Sequence, residues 1–170
     1  MGQLKTWGPF CFNFNGIFSS GGTESQKNHS YLQLFRNGAL EAVDGRISTN
    51  RSVFGIDCEQ QLLKRRGPSY MQFQKQLGLG PPLFIAITML SARGFVVMPF
   101  VPSDFHNLLG MPIAPVDQDA LLAPEVLVED EGADVARLVR PALDTIWQAS
   151  GWPGSQAYDE SGNWVGERVR

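Results

Sequence analysis

Asp104 and His106 are the residues whose types and spacing best suit acid–base chemistry. A histidine titrates near neutral pH, and a nearby carboxylate can orient its ring for general-base catalysis. The pair lies in a proline-rich stretch, and the sequence identifies no nucleophile aligned with it. An exposed loop histidine is therefore the favoured interpretation. A hydrolase-type enzyme using this pair is the second alternative function, and no catalytic residue is assigned.

Thiol and metal chemistry have little support in the two cysteines and two histidines. Cys58 stands at a predicted helix start, where the helix dipole lowers a thiol pKa, but the adjacent Asp57 and Glu59 oppose that effect. Cys11 and Cys58 lack the CxxC spacing of zinc sites, and His29 lies in a predicted mobile loop. We expect a small buried cysteine at position 58, no metal site and no cofactor.

Carboxylates are frequent between residues 117 and 131, where a hard cation would need oxygen ligands at calcium-loop spacing. The observed spacing differs from that pattern, so solvation is the favoured explanation. The carboxylates concerned are Asp117, Asp119, Glu129, Asp130 and Glu131.

A basic cluster suits phosphate binding. Lys64, Arg65 and Arg66 are consecutive, and Arg46 and Arg51 extend the cluster if all five lie on one face. Residues 1–75 hold nine Lys/Arg against five Asp/Glu, whereas residues 76–170 hold five against twelve. A nucleic-acid-binding module using this basic half is the first alternative function. Consecutive helical residues point in different directions, however, and this favours a solvated helix end.

Composition indicates one globular domain over residues 1–170, with 43% hydrophobic and 18% charged residues. Residues 1–6 and 165–170 are expected to be loosely ordered. The low cysteine content favours the cytoplasm. The apolar run at residues 81–90 is far shorter than the roughly 20 residues of a membrane span, so no membrane contact is expected.

The N-terminal part predicts antiparallel strands. Phenylalanines alternate through residues 10–14 as in a half-buried strand, and Asn15-Gly16 suits a tight hairpin turn. Residues 19–30 are almost devoid of apolar side chains and predict an exposed, mobile loop. Residues 31–36 and 39–43 predict a hairpin around Asn37-Gly38, a turn type that needs positive φ at its central residues.

A short strand at residues 53–56 precedes a predicted helix that Asp57 can cap. Its apolar stripe begins at Leu62, and Gly67-Pro68 interrupts it, so we expect a kinked helix or two short ones ending at Gly78 or Gly80.

Residues 83–90 are apolar on both faces and predict a central strand, with residues 95–98 returning antiparallel beside it. Five prolines between residues 99 and 124 predict an irregular surface segment, and residues 125–129 suit an edge strand.

The strongest helical pattern covers residues 134–150, where apolar residues recur at spacings of three and four. Asp134 can cap this helix, and Pro141 should bend it without dividing it. We expect Asp144 and Gln148 to lie on its polar side, and Trp164 to pack back onto the fold. The predicted class is α+β, a mostly antiparallel sheet with two main helical segments packed on it.

Several segments resemble the region downstream of the AlbA-type domain in bacterial Schlafen AlbA-type putative DNA-binding or ATP-binding proteins. They are Tyr31–Val43, Pro81–Gly94, Leu138–Trp147, Gly151-Trp152-Pro153 and Gly162-Asn163-Trp164. The resemblance implies an accessory domain of a larger bacterial protein. The AlbA-type half has no counterpart here, so its nucleic-acid chemistry does not transfer.

The first functional hypothesis is accordingly a non-enzymatic accessory or interaction domain of a bacterial cytoplasmic protein, with a protein partner or self-association. It depends on the many apolar patterns that predict a core, and on the lack of a sequence pattern that predicts a catalytic or ligand-binding site.

Overall fold

The computed structural model describes residues 8–21, 30–45, 48–49, 51–99 and 113–166. Several predictions fall outside these ranges: those on residues 1–6, on His29, Arg46, Asp104 and His106, and on most of the loop at 19–30. The part described combines antiparallel strands with helices, which confirms the α+β class.

Four antiparallel strands follow one another in an N-terminal sheet of order β1-β2-β3-β4. They are β1 (Phe10–Asn13), β2 (Gly16–Gly21), β3 (Ser30–Phe35) and β4 (Leu40–Asp44). The predicted loop at 19–30 is wrong at its start, because β2 continues to Gly21 and Ser19 is buried. The Ser19 hydroxyl donates to the Gly8 carbonyl at 2.8 Å, so this short polar side chain is satisfied inside the sheet.

The predicted hairpin between β3 and β4 is confirmed, but its turn differs in type. The N–H of Gly38 donates to the Phe35 carbonyl at 3.0 Å, and the N–H of Phe35 donates to the Ala39 carbonyl at 2.8 Å. Gly38 has φ +85°, whereas Asn37 is not among the positive-φ residues. The loop is therefore a three-residue turn with one left-handed glycine, a common alternative to the two-residue turn.

A long helical segment follows β5 (Ser48–Thr49) and β6 (Ser52–Phe54). It consists of α1 (Gly55–Gln60), a π-helical stretch (Gln61–Arg66) and α2 (Gly67–Gln76). Asp57 is not its cap, because the helix already begins at Gly55, directly after Phe54. The π-helical turns precede Pro68 and let the helix continue past a residue without an amide N–H. The helix ends before Gly78, as predicted, where φ is +79°.

Residues 83–90 do not form one central strand. They form β7 (Leu83–Ile85) and β8 (Thr88–Leu90), which pair antiparallel with β11 (Val126–Val128) and β10 (Ala120–Leu122), respectively. Strand β9 (Val96–Met98) is not their neighbour, because it pairs in parallel with β6. Apolar patterns identify strands but carry no information on which strand is the partner, and this explains both errors.

The described part of the proline-rich stretch, residues 113–124, is less irregular than expected. It contains β10, and Val116, Leu121 and Ala123 are buried. The strand at 125–129 is confirmed as β11. In both places single residues alternate between core and solvent, a pattern that prolines at outward or unpaired positions permit.

Helix α3 (Val135–Gln148) confirms the strongest sequence prediction. The Asp134 side chain accepts the N–H of Arg137 at 3.2 Å, and the helix continues through Pro141. Two apolar clusters lie along it. One contains Ile56, Val97, Met98, Trp147, Trp152 and Ala157, and the other contains Ala123, Val126, Val139, Ala142 and Leu143. Leu138 departs from the predicted stripe, since it is exposed.

Candidate functional site

Segments 83–90 and 120–128 run antiparallel to each other and form a two-stranded ribbon. The first segment contains β7 and β8, and the second contains β10 and β11. Leu83 faces Val128 at one end, and Leu90 faces Ala120 at the other. The two ladders are joined by a hydrogen bond from the N–H of Ala123 to the Ile87 carbonyl at 3.1 Å. We call this unit the ribbon.

A one-residue bulge lies in the middle of the ribbon. Two residues separate the paired strands in segment 83–90, whereas three, Ala123, Pro124 and Glu125, separate them in segment 120–128. Pro124 has no amide N–H to donate, and a bulge leaves one residue unpaired in the ladder. The bulge thus accommodates a proline inside an extended segment.

The inner face of the ribbon packs on α3. Ala123 and Val126 are buried against Val139, Ala142 and Leu143 of the helix, and Ile85 and Ile87 join this cluster at its margin. One face of the ribbon is thereby covered by a helical layer.

The outer face of the ribbon is apolar, and no residue of the described ranges covers it. Residues in segment 83–90 alternate strictly between partly buried and exposed positions. Phe84 and Leu90 are each 71% exposed, and Leu122 is 73% exposed. Register places Phe84 opposite Leu127, and Leu90 opposite Ala120. We define the outer face by its exposed residues: Phe84, Ala86, Thr88, Leu90, Ala120, Leu122 and Leu127.

Carboxylates surround the outer face at both ends and at the bulge. Those that are exposed are Asp117, Asp119, Glu125, Glu129, Asp130 and Glu131. Arg93 pairs with Asp119 through two hydrogen bonds, of 3.0 and 3.2 Å, and this guanidinium lowers the pKa of the Asp119 carboxyl. Lys75 pairs with Glu131 at 2.6 Å. Six carboxylates against these two cations leave the margin acidic.

A second apolar surface lies at the edge of the N-terminal sheet. Phe12 and Phe14 are 87% and 93% exposed, and Phe10 is also exposed. The prediction of a strand here is confirmed, but the prediction that it is half-buried is wrong, because β1 is an edge strand. An open depression of about 430 Å³ lies at the adjoining turns, lined by Phe14, Asn15, Phe35, Arg36 and Asn37.

Glu59 forms a buried polar cluster that sequence reasoning missed. The residue is only 1% exposed. Its Oε1 accepts from Trp147 Nε1 at 2.8 Å and from the Ser155 hydroxyl at 2.6 Å, and its Oε2 accepts from Trp164 Nε1 at 2.8 Å. The carboxylate thus joins α1 to α3 and to the C-terminal segment.

The Glu59 carboxylate accepts hydrogen bonds from three neutral donors. Burial raises the pKa of this carboxyl, the three hydrogen bonds lower it in part, and nearby Asp144 raises it again. Burial also raises the pKa of Tyr158, to which the charge of Glu59 contributes. The arrangement holds the C-terminal segment in place, and Trp164 packs back onto the fold as expected. No local sequence pattern predicts this cluster, because the donors lie 88 to 105 residues from Glu59 in the chain.

Cys58 is partly buried, in keeping with the sequence expectation. Burial raises the pKa of its thiol to about 12, and the charges of Asp57 and Glu59 add to the effect. The thiol therefore stays protonated at neutral pH, which disfavours nucleophilic chemistry.

The residues proposed for nucleic-acid binding are distributed over two elements. Arg51 lies at the turn between β5 and β6, and its carbonyl accepts the N–H of Val96 at 2.9 Å. Lys64, Arg65 and Arg66 lie in the π-helical stretch. The Lys64 ammonium sits 5.4 Å from the Trp164 ring centre, Arg66 donates to Gln61 at 3.3 Å, and Arg65 is exposed. Arg46 lies outside the described ranges.

Among the residues whose placement is described, no group of three or more His, Cys, Asp or Glu side chains is arranged to hold a metal ion. Asp104 and His106 are not among them.

Over the same parts of the chain, no helix has the length and apolar character that crossing a membrane requires. Comparison with protein-family models, with curated proteins and with solved structures finds no match to this chain.

Proposed function

We propose that the chain is a non-enzymatic interaction domain that binds a protein partner through the outer face of the ribbon. The observation that carries the proposal is the exposure of Phe84, Leu90 and Leu122 on the same face of the ribbon. A surface of this kind, with a polar margin, marks a protein contact more often than a solvated face. Burying one such side chain contributes about 1.5–3 kcal/mol, so a partner has much to gain there.

The architecture supports the same conclusion. A sheet that is apolar on both faces belongs between two layers, and α3 supplies one of them. A partner that covers the outer face would supply the second. The wider context, an accessory role in a larger bacterial cytoplasmic protein, stays a prediction that depends on the resemblance.

The two alternatives have less support. Nucleic-acid binding through Arg51, Lys64, Arg65 and Arg66 predicts salt-sensitive affinity that charge reversal at Arg65 and Arg66 removes. Lys64 and Arg66 already contact protein groups, which weakens this alternative. An enzyme using Asp104 and His106 stays a prediction, because both residues lie outside the described ranges.

The test is co-purification of the tagged chain from its native cells, comparing wild type with a Leu90→Ser/Leu122→Ser double variant. Wild type should retain a protein at fixed stoichiometry, or a second copy of itself, and the double variant should lose it. Leu77→Ser is the matched control, because Leu77 is exposed just after α2 and is not one of the outer-face residues. Retention of the same protein by the double variant would exclude the outer face as the contact.

A further inference from the structure

The inference below rests on the proposed function. It concerns the chemical class of the partner that covers the outer face. The ribbon is eight residues long on one strand, which corresponds to about 25 Å at the rise of an extended chain. A helix of roughly 17 residues spans that length. Since α3 covers the inner face, a helix is also the element that matches the outer face in shape.

The carboxylates around the outer face indicate which residues should flank the apolar side of this helix. Asp117 and Asp119 precede β10 at one end of the ribbon, and Glu129, Asp130 and Glu131 follow β11 at the other. Glu125 adds a carboxylate at the bulge. In the segments 81–99 and 113–131 the one cation is Arg93, and it is paired with Asp119. A partner that lies along the ribbon therefore meets negative charge at both of its ends.

We propose that the outer face binds an amphipathic helix of another protein, with leucine-like residues on one side and lysines or arginines flanking them. Apolar burial supplies the affinity, and the acidic margin selects the partner and speeds its approach.

The same charges disfavour a second copy as the occupant. In a two-fold dimer, identical surfaces meet. Because both ends of the ribbon are acidic, each two-fold stacking of outer faces brings carboxylates against carboxylates. Such like-charge contacts weaken an interface, and Lys75 and Arg93 at the margin already pair with Glu131 and Asp119.

The test measures binding of designed 18-residue helical peptides by titration calorimetry. The probe carries leucines on one side and lysines elsewhere, and a matched peptide carries glutamates in place of the lysines. We expect the lysine peptide to bind wild type and the glutamate peptide to bind at least about tenfold more weakly. The affinity of the lysine peptide should fall as salt is added, because the marginal charges are solvent-exposed.

Two variants separate the contributions. Leu90→Ser/Leu122→Ser should reduce lysine-peptide affinity by about tenfold or more, since it removes the apolar contact. Glu125→Lys/Glu129→Lys should reduce it in low salt and have little effect in high salt. Glu160→Lys, an exposed carboxylate in the C-terminal segment, is the single-charge control and should change little.

The outcomes are distinguishable. If both peptides bind equally and both need Leu90 and Leu122, the outer face is a docking surface but the inference of a basic partner is wrong. If the lysine peptide binds the double serine variant as well as wild type, its binding is not at the outer face and the inference is overturned. If wild type sediments as a dimer that the serine variant dissociates, the occupant is a second copy, and the proposed function survives while the inference fails.

Discussion

At the scale of single residues, Glu59 is the most consequential side chain of the described core. It accepts from two indole N–H groups and one hydroxyl, of which the Trp147 bond is buried and the Ser155 and Trp164 bonds are partly buried. A buried donor that loses its acceptor costs about 1–3 kcal/mol. The carboxylate is thus kept inside the protein by what it accepts, although its own desolvation is unfavourable.

Removing this acceptor should therefore lower the free energy of unfolding strongly, whereas replacing it with an amide should lower it only slightly. Glu59→Ala leaves three donors unsatisfied, and we expect a loss of roughly 3–5 kcal/mol in the free energy of unfolding. Glu59→Gln keeps one acceptor oxygen and removes the charge, and should cost much less. Glu160→Ala is the exposed control. Urea denaturation measures all three, and equal losses for Ala and Gln at position 59 would contradict this role.

The same residue makes stability depend on pH. Burial raises the pKa of Glu59 in the folded state above its unfolded value. Its favourable contribution is therefore complete below the unfolded pKa, near 4.3, and is lost as pH rises through the folded pKa. The free energy of unfolding of wild type should fall relative to Glu59→Gln as pH rises above about 4. If urea denaturation across this range shows the opposite trend, the hydrogen bonds outweigh desolvation and the pKa is lowered.

At the scale of elements, the β3–β4 hairpin depends on the left-handed conformation of one glycine. Gly38 has φ +85°, and a side chain there would also meet Leu79. Gly38→Val should cost more than the roughly 1–3 kcal/mol of a strained backbone alone. Gly78→Val has the same strain, at φ +79°, with open space around it, and Gly80→Val lacks both problems. Thermal unfolding should rank the three variants in that order of damage, and an unchanged melting temperature for Gly38→Val would contradict the turn.

Helix α3 should depend on its apolar side and on one polar contact. Trp147 is 1% exposed and meets Trp152 edge-on at 5.7 Å, so Trp147→Ala should cost about 3–5 kcal/mol. Gln148→Ala should change little, because Gln148 is exposed and its one hydrogen bond, to the Pro153 carbonyl at 3.1 Å, is open to solvent. Asp144 differs from Gln148, because it is partly buried and its carboxylate accepts the N–H of Ser155 at 2.7 Å. Asp144→Ala should fall between the two in a denaturation series.

At the scale of the whole molecule, local patterns predicted the elements better than their partners. The cap at Asp134, the apolar stripe of α3 and the β3–β4 hairpin are all encoded within a few residues. The cap and the hairpin are confirmed, although the turn differs in type, and the stripe is confirmed except at Leu138. The pairing of β9 with β6 and the cluster around Glu59 join distant parts of the chain, so short-range patterns carry no signal for them.

The ribbon shows the limit of such patterns most clearly. Residues 83–90 are apolar on both faces, a pattern that predicts a strand in the centre of the sheet. In the structure one face meets α3, and the other, with Phe84 and Leu90, is exposed. The pattern correctly indicated two faces suited to burial. It could not indicate that one of them lacks a cover within the described parts of the chain.

The central claim is that the outer face serves contact and not folding. Its most direct test is one comparison of Leu90→Ser/Leu122→Ser with wild type by thermal unfolding, alongside Leu121→Ser, which alters the buried neighbour of Leu122. We predict a melting temperature for the double variant within about 2 °C of wild type, because exposed substitutions change stability little, and a large drop for Leu121→Ser. If the double serine variant unfolds as readily as Leu121→Ser, the outer face is part of the core, and the proposed interaction surface is contradicted.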